Sequence, residues 1–105
     1  MEFEDILKRI KKKASKATVQ DDGHLSVKIT VTGKSPGKIY MELIDRKLLV
    51  NEKGKKPYDN EIMIKSEDLE NLLDRKLNPL LAVTMGKIKV KGNVKNVVRV
   101  ARMLM

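Results

Sequence analysis

The side chains able to carry chemistry in this chain are few, and their spacing gathers no reactive set. Acid–base or nucleophilic catalysis needs a nucleophile, a base and an orienting group within reach of one another. The single histidine, His24, follows Asp21-Asp22-Gly23 at the start of a strand, where an exposed turn residue is the expected reading. Ser66 precedes Glu67 and Asp68 and reads as a helix N-cap, not a nucleophile. Glu42, Asp45 and Asp59 supply carboxylates, but no spacing directs them to one point. Cysteine is absent, so a disulfide framework and a thiolate metal site are both excluded, and one histidine cannot build a zinc site. The six glycines fall in separate turns and never form the G-x-x-x-x-G-K loop that cradles phosphate. No catalytic residue, metal or cofactor is expected, and the chain reads as a binding protein, not an enzyme.

Charge is the next constraint. The net charge is +9, and it is uneven: residues 1–20 carry six Lys/Arg against three acids, and residues 87–105 carry six against none. Such ends suit an anionic membrane surface, nucleic acid, or a solvated coat that keeps the protein soluble. Single-strand binders stack bases on several aromatic rings. Here Phe3, Tyr40 and Tyr58 are the whole aromatic complement, so nucleic acid is not the expected partner. The basic residues placed to meet an anionic membrane are Lys11, Lys12 and Lys16 near the start of the chain and Lys95, Arg99 and Arg102 near its end.

The elements that would position these groups follow from periodicity. Residues 3–17 set Phe3, Ile6, Leu7, Ile10, Ala14 and Ala17 within one arc of about 100° of a helix, lysines covering the rest. From Leu25 to Thr32 apolar and polar residues alternate, as in a strand with one wet face. Lys34-Ser35-Pro36-Gly37 breaks it, Ile39–Ile44 resumes it, and Leu48–Val50 follows a hairpin turn at Asp45-Arg46, which predicts a three-strand meander. Ile62–Ile64 is too short for a helix. Leu69, Leu72 and Leu73 mark a short helix from Ser66 to near Lys76; Asn78-Pro79 restarts helix until Gly86; and Ile88 and Val90 alternate with lysines as a last strand. Asn93 caps a final helix whose apolar arc, from Val94 to Leu104, is about 160° wide, more than a surface helix needs.

The ordered run Glu67-Asp68-Leu69, Leu72-Leu73, Leu77-Asn78-Pro79, Ala82, Gly86-Lys87-Ile88-Lys89-Val90 and Gly92 resembles the sterol carrier protein two family of lipid-transfer domains. The resemblance spans residues 39–104. It implies an α+β fold: a five-stranded, mostly antiparallel sheet with helices over one face, and between them an apolar tunnel for fatty acyl chains or sterols. Family members often carry Gly where this chain has Arg46 and Arg75, and Asp where it has Asn78 and Asn93.

Together these readings predict a single domain over residues 1–105 that binds or transfers an apolar, lipid-like ligand without reacting with it. The ligand-facing residues expected are Leu72, Leu73, Leu77, Leu80, Leu81, Val83, Met85, Val97, Ala101 and Leu104. Two other classes stay open: a basic nucleic-acid-binding domain, and an interaction or dimerisation module whose apolar cleft accepts a partner helix. No apolar run reaches the roughly 18 residues that span a bilayer, and the N-terminus lacks a basic region before an apolar core, so a cytoplasmic protein is expected.

Overall fold

A computed structural model describes residues 2–17, 19, 23–54 and 57–105. Helix α1 (Phe3–Lys16) is followed by strands β1 (Leu25–Thr32), β2 (Gly37–Ile44), β3 (Lys47–Asn51) and β4 (Asn60–Lys65). Then come α2 (Ser66–Leu73), α3 (Pro79–Thr84), β5 (Ile88–Lys91) and α4 (Val94–Met103). The sheet runs β3-β2-β1-β4-β5, antiparallel throughout except that β1 and β4 are parallel. The expected meander is therefore β1–β3, and the short Ile62–Ile64 segment lies within the strand that joins it to β5. Of the turn expected at Asp21-Asp22-Gly23, the two aspartates lie outside the described residues.

Alternation along β1 buries Leu25, Val27, Ile29 and Val31 and leaves Ser26, Lys28, Thr30 and Thr32 on the wetter face. The helices cover the first of these faces. α1 lays Ile6, Leu7, Ile10 and Ala14 onto the β2–β3 end, with Glu4 and Asp5 in its first turn and Lys13 and Lys16 in its last, as the helix dipole favours. Phe3 closes over Gly37 so tightly that a Cβ there would overlap the ring. Arg9 reaches Asp74 at the end of α2, with a guanidinium nitrogen 2.6 Å from the carboxylate.

The hairpin turn expected at Asp45-Arg46 is present, joining β2 to β3, and the structure departs from the sequence reading at the end of α2. Asp45 and Arg46 both take positive φ, 51° and 62°, the two-residue arrangement that matches the twist of a hairpin. α2 stops at Leu73, three residues short of the expected end near Lys76, and Arg75, two residues beyond it, takes φ 61°. Both arginines thus keep the backbone that glycine would favour. The Arg75 guanidinium donates to the Met105 carbonyl at 2.7 Å.

Ser66 is not the N-cap of α2: Lys65 holds that place and Ser66 is the first helical residue. Its buried hydroxyl instead receives the Ser35 amide at 3.2 Å and donates to Glu67 Oε1 at 2.6 Å, while Glu67 also accepts the Lys34 amide. The serine hydroxyl first, and the Lys34 amide after it, hold the Glu67 carboxyl below its ordinary range. A polar clamp therefore ties the β1–β2 turn to the start of α2. Asn78 and Asn93 do cap α3 and α4, accepting the amides of Leu80, Leu81 and Lys95.

Candidate lipid-binding site

An apolar cavity of about 40 Å³ lies between the sheet and two helices. Its floor is Val27, Ile29, Ile62, Ile64 and Ile88, which the register places side by side: Ile29 pairs with Ile62, and Ile64 with Ile88. Leu69, Leu72 and Leu73 form one wall because i, i+3 and i+4 share a helix face. Val97, Val100, Ala101 and Leu104 form the roof by the same spacing, and Met105 completes it.

No side chain lining this space carries a charge or a hydrogen-bonding group. It can exclude water and accept methylene groups, each worth about 0.8 kcal/mol when buried. Ligand sites for small molecules usually occupy roughly 300–1,000 Å³. At about 40 Å³ the cavity is well below that range, so in this conformation it has room for only a few atoms. Leu104 and Met105 also border a groove of about 480 Å³ walled by Arg9, Lys12, Lys13 and Lys16. The apolar interior therefore meets solvent beside the basic end of α1.

Of the ten residues expected to face a ligand, Leu72, Leu73, Val97, Ala101 and Leu104 are brought together around the cavity. Leu77 and Val83 are half-buried and pack against the core without lining it. Leu80, Leu81 and Met85 are 51%, 56% and 62% exposed and do not line it. The reason is length: α3 has six residues, and only Pro79 and Ala82 of them are buried. Sequence reasoning missed Val27, Ile29, Ile62, Ile64, Leu69, Ile88, Val100 and Met105. Alternation along β1 does mark Val27 and Ile29 as inward, but an inward strand residue reads equally well as core.

Among the expected membrane-facing cations, Lys12 and Lys16 sit in the groove beside Met105, while Lys11 is exposed on α1 outside it. Lys95, Arg99 and Arg102 line a second, shallower groove between α3 and α4. Of the polar groups considered for chemistry, His24 and Glu42 meet as an exposed pair, and Asp59 is bound to backbone and to Ser26. His24 Nε2 lies 2.7 Å from Glu42 Oε2 on the surface, and Asp59 accepts the Ser26 amide at 2.8 Å. Among the described residues no group of three His, Cys, Asp or Glu could hold a metal ion.

No curated protein matches the chain. Among solved structures, the palmitated sterol carrier protein 2-like 2 of Aedes aegypti shares 19% identity with a TM-score of 0.75, over 99% of this chain and 95% of that one. Sterol carrier protein 2 from Yarrowia lipolytica, in its apo form, shares 21% identity with a TM-score of 0.65, over 94% of this chain and 73% of that one. The sec-alkylsulfatase Pisa1 from Pseudomonas sp. matches at 13% identity and a TM-score of 0.65, over 92% of this chain but 14% of its own. These likenesses establish the five-stranded α+β fold. The family model for the SCP-2 sterol transfer family matches residues 3–105, and the chain belongs to that family.

Proposed function

We propose that residues 1–105 act as one non-catalytic carrier of an apolar ligand such as a fatty acid, fatty acyl group or sterol-like lipid, working in the cytoplasm. The observation that carries this reading is a cavity walled wholly by apolar side chains, roofed by a helix whose apolar arc is wider than a surface helix needs. Membership of the sterol transfer family and the palmitate of a structural relative support it. Leu72, Leu73, Val97, Ala101 and Leu104 would hold the ligand with the strand residues below them, and Lys11, Lys12 and Lys16 would help the protein meet an anionic lipid surface. No helix among the described residues is long and apolar enough to cross a membrane, so contact with lipid would be at the surface.

Native mass spectrometry after mild organic extraction should show one lipid bound per chain. Adding that ligand back should raise thermal stability, because a molecule that binds only the folded state shifts the unfolding equilibrium. At a concentration one hundred times Kd the gain is about 2.7 kcal/mol, which moves Tm by on the order of 10 °C in a domain of this size. A panel of fatty acids and sterols that neither shifts Tm nor displaces a fluorescent lipid would leave the cavity as plain core.

A further inference from the structure

The exposed face of α3 and α4 has a composition that neither the cavity nor a solvated surface explains. Among the described residues the large apolar side chains left exposed are Leu49, Met63, Leu80, Leu81, Met85 and Val94. Three of them sit on or directly after the short helix α3, and Val94 opens α4 across the groove it shares with Leu80. Exposed large apolar side chains clustered on one short element mark a candidate interaction site.

Its surroundings are predominantly basic. Residues 75–105 contain eight Lys/Arg and no Asp or Glu. Lys95 and Arg102 border the groove beside Leu80, and Lys87 and Lys89 lie with Met85 along the next one. The acids closest to this face, Glu67 and Asp68, stand on its Met63 side, where Asp68 is 4.0 Å from Lys87. Protein interfaces are depleted in lysine, and binding to a duplex backbone is supplied by cations, which leaves the exposed leucines without a role there. An anionic bilayer uses both features at once: its headgroups attract cations and its acyl boundary takes apolar side chains.

We infer that the α3–α4 face is a membrane-docking surface, on which Leu80, Leu81 and Met85 enter the boundary of an anionic bilayer while Lys95 and Arg102 meet lipid phosphates. This extends the carrier reading by naming the surface where ligand would be collected, yet it rests on side chains outside the cavity and stands or falls separately. It also places the contact on the opposite end of the chain from the basic stretch of α1.

The test is sedimentation of the full chain with phosphatidylcholine vesicles, with and without phosphatidylserine. Binding should require phosphatidylserine. The double substitution of Leu80→Ser with Leu81→Ser should lower the partition coefficient at least about tenfold, since most of two leucine side chains would otherwise leave water. Lys95→Gln with Arg102→Gln should lower it about thirtyfold on anionic vesicles, whereas Lys12→Gln with Lys16→Gln, on the α1 side, should lower it by a clearly smaller factor. Because cysteine is absent, Leu81→Cys gives a single labelling site, and an environment-sensitive dye there should shift to the blue with vesicles. All six positions are exposed, so the circular dichroism and Tm of each variant should match the parent. Equal binding to neutral vesicles, full binding by the leucine variant, or loss of binding only in the α1 variant would overturn the inference. So would a dimer in analytical ultracentrifugation that the leucine variant dissolves. Loss of fatty-acid binding in Ala101→Trp with vesicle binding intact leaves docking standing; the reverse pattern leaves the carrier reading standing alone.

Discussion

Ala101→Trp should lower affinity for a fatty acid at least about hundredfold, equivalent to about 2.7 kcal/mol, while the domain stays folded. Ala101 is the smallest side chain in the roof of the cavity and is itself only half-buried. An indole at that point overfills the roughly 40 Å³ beneath it, so the ring takes the space that a lipid tail would use and pushes α4 outward. Overpacking of this kind typically costs about 1–3 kcal/mol, less where one side of the residue faces water. Denaturant midpoints and displacement of a fluorescent lipid, both on delipidated protein, separate the two effects. Unchanged affinity in the folded fraction, with a large fall in midpoint, would mean that Ala101 is core and that no ligand passes beneath α4.

The second large effect is on stability, at Gly92. Its φ is +121°, a region that side chains with a Cβ rarely enter, and an added Cβ would stand 2.6 Å from Asn60 Oδ1 and 2.8 Å from the Asp59 carbonyl oxygen. Neither neighbour can withdraw cheaply. Asn60 is 1% exposed, and its Oδ1 accepts the Asn93 amide at 2.7 Å, the bond that seats the first residue before α4. Gly92→Ala should therefore cost about 3 kcal/mol, from backbone strain of about 1–3 kcal/mol and the displaced contacts together. In thermal unfolding that is a fall of roughly 15 °C. Gly86→Ala is the control: its φ is also positive, +77°, but nothing lies within 4 Å of the added Cβ, so the cost should be nearer about 1 kcal/mol. Equal losses at the two glycines would show that the Asn60 contact contributes nothing to holding α4.

Most of the architecture was legible because its signals are local. The 3.6-residue arc of α1, the alternation from Leu25 to Thr32, and the Asn-Pro and Asn caps of α3 and α4 each depend on neighbours a few residues away. Ser66 shows where this fails: the serine-acid-acid pattern matches a cap, but the hydroxyl is used by Ser35, thirty-one positions earlier in the chain, a partner only the tertiary fold supplies. The site was half legible for a related reason. Helical spacing finds the apolar face of α2 and α4, and so finds Leu72, Leu73, Val97, Ala101 and Leu104. It cannot tell that α3 is too short to bury Leu80, Leu81 and Met85, nor that β4 slots beside β1 and puts Ile62 and Ile64 under the roof. Arg46 and Arg75 are a different case, since their positive φ is imposed by the turns around them and leaves no mark in residue type.

The parallel pairing of β1 with β4 also orders events in time. β1, β2 and β3 join through short turns, so the meander closes small loops and can form early. Val27 meets Asn60, and Thr32 meets Lys65, only after the whole meander has been spanned. Until then the inner edge of β1 is an open row of amides and carbonyls, a template that another chain could extend. β4 is thus both the floor of the cavity and the stopper on that edge. Every residue from 60 onward that lines the cavity arrives after the strand it must cover, so a bound ligand would stabilise the last part of the molecule to fold and the first part to open.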